Sequence, residues 1–394
     1  MAWALSYDTA IGLALSFLVV TFALQNFIDR RSTVTIGLVA TIWYWTSALW
    51  AAVTKEILND LQQVVVYPST SVWLTFLPQA LSYVLVQALA ILFGLDLCTG
   101  TCFREKRRNL GMWQMAGAAY FFGQLFTVAA LALDAPSLVF VVKAIEPLST
   151  ALLAIPVLHQ TFNVRLFLAI LVACVGIMIT AAASHGGFNG VHYSSAYMSM
   201  TLGMLANIGF SSRACVAKRA LVFDSNEPLE AYGMCTVFAT QSGVVLLLVW
   251  LILGRCILNN AGDMTSILQH LSQRPGAWLT ASLTYFLYQG SSILLLSCFK
   301  VETHALLVAL KHVFVVVLAS LITGAVLNPP MILGLLLVSL GVCWYLSSPE
   351  DEDSEKEPIL PTKADGLEQS VSYPLIAVVI SVVGLGTFLP LWHL

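Results

Sequence analysis

The chain has 394 residues, of which 58% are hydrophobic and only 10% charged, with a formal net charge of −3. A soluble domain carries roughly 25% charged residues, so these proportions exclude a soluble globular protein. The near-neutral balance gives no basis for nucleic-acid binding. What remains is a polytopic helical membrane protein whose first partner is the lipid bilayer.

Apolar windows of about 20 residues, bounded by charges or turn residues, predict twelve spans. They lie near 9–28, 33–53, 71–95, 112–133, 137–158, 163–183, 195–217, 232–254, 275–298, 303–325, 329–348 and 372–392. The uncharged run from Leu166 to Ser212 is too long for one helix, and the polar break S-H-G-G-F-N-G (184–190) divides it. Two connections are very tight: Asp134-Ala135-Pro136, and Asn328-Pro329-Pro330.

The positive-inside rule orients these spans. The odd-numbered loops hold Arg30, Arg31, Arg104, Lys106, Arg107, Arg108, Arg165, Lys218, Arg219, Lys300, Lys356 and Lys363; the other side holds Lys55, Arg255 and Arg274. The odd loops are therefore expected in the cytosol and both termini away from it. No basic region precedes the first apolar run, which reads as an uncleaved span rather than a cleaved signal or a transit peptide. That points to the endomembrane system (Golgi, ER or endosome) and leaves a plastid membrane open. The eight cysteines are scattered, mostly in apolar runs, and read as small core residues, with neither a metal nor another cofactor expected. His185 and His192 lack ligand partners at metal spacing and read as loop residues.

Residues 348–368 are acidic and Pro-bearing, a disordered cytosolic segment by composition. Within it E-K-E-P-I-L (355–360) resembles an acidic dileucine signal, the kind a sorting adaptor reads; the plain alternative is a solvated linker.

Three basic residues fall inside spans: Lys143, Arg213 and Lys311. A lysine at the centre of a membrane helix costs about 2.5–3.5 kcal/mol on insertion scales. Lys143 lies about eight residues past the turn at 134–136, roughly 12 Å into the bilayer at 1.5 Å per residue; Lys311 lies about ten past Lys300–Glu302, roughly 15 Å in, on a helix entering from the opposite face. Thr127 on the preceding helix falls at the level of Lys143, and Tyr288 at the level of Lys311. Two hairpins of opposite topology, each with a hydroxyl and a lysine at mid-membrane, fit an inverted repeat with a substrate site at its interface. Two ammonium groups, a phenol and a hydroxyl suit an anion, most naturally a phosphate. The inert alternative is that Lys143 simply pairs with Glu146. Arg213, near the cytosolic end of its span, is expected to snorkel outward and hold a helix end or gate.

Four segments carry a resemblance. They are V-V-K-A-I-E-P (141–147), N-I-G-F-S-S-R-A-C-V-A-K-R-A-L (207–221) continued by D-S-N-E-P-L-E-A-Y (224–232), T-H-A-L-L-V-A-L-K-H-V-F-V-V-V (303–317), and T-K-E-I-L-N (54–59). In order and spacing they resemble the triose-phosphate translocator family of the drug/metabolite transporter superfamily, over about 33–348. The resemblance implies an all-α fold with a ten-helix core of two inverted five-helix repeats. In this chain it gives an extra helix in 1–32, repeats at 33–190 and 191–348, an acidic linker at 349–371 and a second extra helix in 372–394. Plastid members bind substrate phosphate through two lysines, an arginine, a threonine and a tyrosine. By motif four of these are Lys143, Lys311, Thr127 and Tyr288, the residues that depth alone selects. The arginine is replaced by His312, the histidine three residues before the threonine by Gln124, and the asparagine of the third motif by Val308. A histidine makes no guanidinium fork and is only partly charged near neutral pH.

The resulting expectation is an alternating-access antiporter exchanging a phosphorylated metabolite for phosphate or another phosphate ester. A nucleotide-sugar/nucleoside monophosphate antiporter of the same fold is the alternative, and a non-transporting sensor or scaffold the alternative of another class. No H-E-x-x-H, G-x-S-x-G or paired intramembrane aspartate marks an enzyme, and no ring of charge marks a channel.

Overall fold

The computed structural model describes residues 33–61, 67–92, 110–133, 136–158, 164–184, 193–224, 228–253, 261–323 and 328–347. The expected spans 9–28 and 372–392, the acidic segment 348–368, and loop histidines 185 and 192 lie outside the described residues. Among the described residues twelve α-helices follow in order: α1 Thr33–Leu61, α2 Tyr67–Leu92, α3 Leu110–Leu133, α4 Pro136–Lys143, α5 Glu146–Leu158, α6 Val164–Ser184, α7 Tyr193–Asp224, α8 Pro228–Leu253, α9 Ala261–Gln273, α10 Pro275–Cys298, α11 Val301–Thr323 and α12 Pro329–Ser347. Among the described residues there is no strand, as expected where a bilayer supplies no partners for sheet edges.

Among the described residues, five stretches are long and apolar enough to cross a membrane: Ile36–Leu61, Leu110–Leu133, Leu138–Leu158, Ala231–Val249 and Pro275–Cys298. The shorter Phe167–Thr180 and Pro329–Trp344 are also apolar. Helix α7 is less apolar because it carries Asn207, Arg213 and Lys218, and α11 carries His304, Lys311 and His312 within an apolar run. Of these, all but Lys218 are buried in the bundle.

Three local findings differ from the sequence expectation. The span 137–158 is not one helix: α4 ends at Lys143 and α5 begins at Glu146. Across the break the amides of Ala144, Ile145 and Leu148 donate to carbonyls three residues back, at 3.0–3.2 Å. Pro147 explains it, having no N–H for the Lys143 carbonyl and a ring that would strike it in a continuous helix. Second, the T-K-E-I-L-N segment is helical, because no Gly or Pro stops α1 before Leu61. Third, the loop after α8 contains α9, which buries Ile267 and exposes Leu268. Its His270 accepts from Trp278 Nε1 of α10 at 3.1 Å, while Arg274 reaches Asp60 of α1 at 2.6 Å. These outer charges are partly solvated and contribute little to stability.

Small residues let the helices close up. A Cβ on Gly209 of α7 would lie 2.7 Å from the Cα of Gly123 of α3, and one on Gly341 of α12 2.7 Å from the Ala169 carbonyl of α6. With α4 and α5 counted as one span, the packing pairs come in matched sets: α3 with α7 and α10 with α1; α3 with α8 and α10 with α2; α4–α5 with α7 and α11 with α1. The lysines at the helix ends repeat this match. Lys55 of α1 donates to the Leu131 carbonyl near the end of α3 at 2.7 Å; Lys218 of α7 donates to the Leu296 and Phe299 carbonyls at the end of α10 at 3.1 and 2.7 Å. Each cation sits where the helix dipole favours it.

Candidate functional site

Every fourth residue along one face of α7 braces the broken helix. Asn207 Nδ2 donates to the Val142 carbonyl at 2.9 Å, Ser211 Oγ to the Glu146 carbonyl at 3.3 Å, and Cys215 Sγ to the Thr150 carbonyl at 3.8 Å. Arg219 continues the ladder to the Val157 carbonyl at 2.9 Å. Spacing by four places these side chains on one stripe, from which each reaches a carbonyl of α4 or α5. The brace fixes Lys143 as the last residue of α4 and Glu146 as the first of α5.

Lys143 and Lys311 are both buried, at 2% exposure. Lys143 Nζ donates to Thr127 Oγ1 at 2.9 Å and lies 4.3 Å from the centroid of the Phe210 ring. Lys311 Nζ donates to Tyr288 OH at 3.3 Å, with the Trp43 ring at 4.9 Å. Each lysine thus meets a hydroxyl from the preceding long helix and an aromatic face from α7 or α1. Cation–π contact offsets part of the desolvation cost. Tyr288 is itself backed by Trp50, stacked at 6.0 Å.

The Glu146 carboxylate approaches the His312 imidazole, with Nε2 3.9 Å from Oε2, and the imidazole lies against Phe140 at 5.4 Å between ring centres. Gln124 is buried on α3 between Tyr120 and Thr127, with neither its Oε1 nor its Nε2 in a hydrogen bond.

Arg213 corrects the expectation that it snorkels. It is 3% exposed; Nη1 donates to Gln289 Oε1 at 2.7 Å and Nη2 to Ser292 Oγ at 3.0 Å. Its guanidinium lies 5.1 Å from the Tyr120 ring. Tyr120 in turn stacks on Tyr285 of α10 at 6.1 Å and 7°. Arg213 Nε has no hydrogen-bond partner. His304 contacts Ser292 through Nε2 at 3.3 Å and stacks on Trp43. An apolar window ends this span at 217 and so puts position 213 near its edge; α7 runs to Asp224, which places Arg213 deeper.

A family model described as "Triose-phosphate Transporter family" matches residues 34–346. The chain belongs to that family. In this family member the four quoted motifs now have structural roles. The asparagine of the second braces the helix break, its phenylalanine covers Lys143, its arginine joins α7 to α10, and its lysine caps α10. Twenty-seven chains of solved structures are similar to this one. One, a crystal structure, is 16% identical over 80% of this chain and 97% of its own, with a TM-score of 0.50; at that identity the likeness shows the fold alone. No curated protein matches.

The five cysteines among the described residues, 174, 215, 235, 298 and 343, are free thiols, and no metal-holding cluster of His, Cys, Asp or Glu is found there. The protein is a multi-pass membrane transporter of phosphate-linked metabolites by family, and its buried polar groups converge on the cluster around Lys143, Lys311 and Arg213.

Proposed function

We propose that this member is an alternating-access antiporter that exchanges a phosphate monoester for inorganic phosphate or another ester. The observation that carries the reading is a charge imbalance. Among the described residues, the buried ionisable groups other than histidine, cysteine and tyrosine are Lys143, Arg213, Lys311 and Glu146. Three cations against one carboxylate leave an excess of two positive charges. A buried charge without a counter-ion is strongly unfavourable, and a phosphate monoester carries about −1.5 to −2 at pH 7. One such group balances the site. Lys143, Lys311, Thr127 and Tyr288 supply donors from both halves of the bundle, with His312 and Gln124 beside them.

The matched packing pairs support two inverted five-helix repeats, the architecture in which a central site is opened to each side in turn. Exchange follows from the same imbalance: an empty carrier must bury two unbalanced cations to change sides, whereas a loaded one buries none. The extra terminal helices, a non-cytosolic location for both termini, an endomembrane setting and adaptor binding through 348–368 belong to this proposal as well.

The test is uptake of labelled phosphate by purified protein in liposomes. Uptake is expected only into vesicles preloaded with phosphate or a phosphate ester. Equal uptake into empty vesicles contradicts exchange. Uptake driven by UMP or GMP but not by phosphate favours the nucleotide-sugar alternative.

A further inference from the structure

One buried histidine touches the partners of two buried cations. His304 is 2% exposed and stands two helical turns before Lys311, on the same face of α11. Its ring stacks on Trp43 of α1, with centroids 5.3 Å apart and 24° between the planes; the same indole lies 4.9 Å from Lys311 Nζ. Its Nε2 lies 3.3 Å from Ser292 Oγ and 3.2 Å from the Ser292 carbonyl of α10. A carbonyl only accepts, so Nε2 carries the proton and donates. Ser292 Oγ also accepts from Arg213 Nη2 at 3.0 Å. Between the levels of His304 and Lys311, Tyr44 OH donates to the Leu307 carbonyl at 3.0 Å, which holds α1 against α11.

We propose that His304 is a positioning residue for transport: through Trp43 it fixes the ammonium of Lys311, and through Ser292 it steadies the guanidinium of Arg213, so that both cations stand ready when the anion arrives. The proposal rests on the phosphate reading above. A lysine ends in a compact charge on a flexible four-carbon stem, and Lys311 has a single hydroxyl, Tyr288 OH at 3.3 Å, to hold it. The Trp43 face adds a second restraint by cation–π attraction, and does so only while the indole itself cannot turn. The His304 ring stacked on it prevents that turn. Imidazole suits the place because it joins a flat ring to an in-plane N–H; phenylalanine offers only the first and glutamine only the second.

Phosphate exchange by the full-length protein in liposomes separates positioning from packing. Lost packing lowers the fraction of active carriers, and with it the apparent kcat, but leaves the KM of the survivors unchanged; lost positioning raises KM. His304→Gln keeps an N–H for Ser292 and loses the stack, and is expected to raise the KM for phosphate about two- to tenfold, the range an aromatic pair provides. His304→Phe restores the stack and recovers most of that loss. In a Trp43→Leu background, where Lys311 has already lost its platform, His304→Gln raises KM no further. A folded His304→Gln carrier with the wild-type KM overturns the proposal, and so does the full rise repeated in the Trp43→Leu background. If His304→Gln does not fold, His304→Leu fills the site without a flat ring and is judged by the same outcomes, and Trp43→Leu with an unchanged KM overturns the proposal by itself. Absence of phosphate-for-phosphate exchange in the wild type is a distinct result: it overturns the phosphate reading itself, and the assignment of His304 with it.

Discussion

Replacing Pro147 by alanine should make the protein more stable and a worse carrier. In a continuous helix proline costs about 3 kcal/mol relative to alanine; here the chain avoids most of that by breaking at Ala144–Ile145. Alanine restores the N–H that can reach the Lys143 carbonyl, worth about 1 kcal/mol net. It also removes the ring that forbids the closed turn. Against this stand about 0.4–1 kcal/mol of lost rigidity in the unfolded chain and the pull of the α7 brace, in which Asn207 and Ser211 already occupy the Val142 and Glu146 carbonyls at 2.9 and 3.3 Å. The balance favours the healed helix by about 1–2 kcal/mol, which for a chain of 394 residues raises Tm by about 1–3 °C. Healing rotates Lys143 relative to Glu146 and turns its amine away from the phosphate. Losing one hydrogen bond to a charged group costs at least about 1.4 kcal/mol, or tenfold in affinity. Thermal unfolding in detergent, followed by tryptophan fluorescence, and phosphate exchange in liposomes measure the two effects. A Pro147→Ala protein with unchanged Tm and full exchange refutes the view that the break exists to place Lys143.

Two further outcomes follow from the same geometry. Tyr288→Phe keeps the ring stacked on Trp50 and removes the hydroxyl bonded to Lys311, so exchange kinetics should show the KM for phosphate rising about five- to tenfold; an unchanged KM removes Tyr288 from the site. Gly209→Ala puts a Cβ 2.7 Å from the Gly123 Cα and 3.0 Å from the Ala119 carbonyl, forcing α3 and α7 apart at an overpacking cost of about 1–3 kcal/mol; a melting curve as high as the wild type contradicts that close approach.

Much of this arrangement was legible in the sequence, and the reasons are physical. Composition fixes the class because a bilayer admits few alternatives. Depth counting pairs Thr127 with Lys143 and Tyr288 with Lys311 because helices rise at a constant rate, and both pairs meet at hydrogen-bond distance. The helix break was signalled by the Glu-Pro step at 146–147, yet an apolar window registers hydropathy and not a missing donor. Arg213 was misjudged for a related reason: the window closed α7 at residue 217, ahead of Lys218, whereas the helix continues to Asp224. Lys218 ends an apolar run without ending a helix, because it spends its charge on the last carbonyls of α10. The ring partners Trp43 and Phe210 carry no local signal; only the packing of α1 and α7 brings them to Lys311 and Lys143. The 3.9 Å approach of His312 to Glu146 across two helices is equally out of reach, since the nearest cation to Glu146 along the sequence is Lys143.

The central claim is that two buried lysines are completed by a phosphate anion. Lys143→Met and Lys311→Met each keep the apolar stem and remove one of the two excess positive charges. Both proteins should fold and melt no lower than the wild type, because a costly buried cation has been removed. Labelled phosphate exchange in liposomes should fall at least about a hundredfold in each, since a charged contact in a site of low effective dielectric is worth about 4 kcal/mol at 4 Å. Folded variants that exchange phosphate at the wild-type rate would contradict the account.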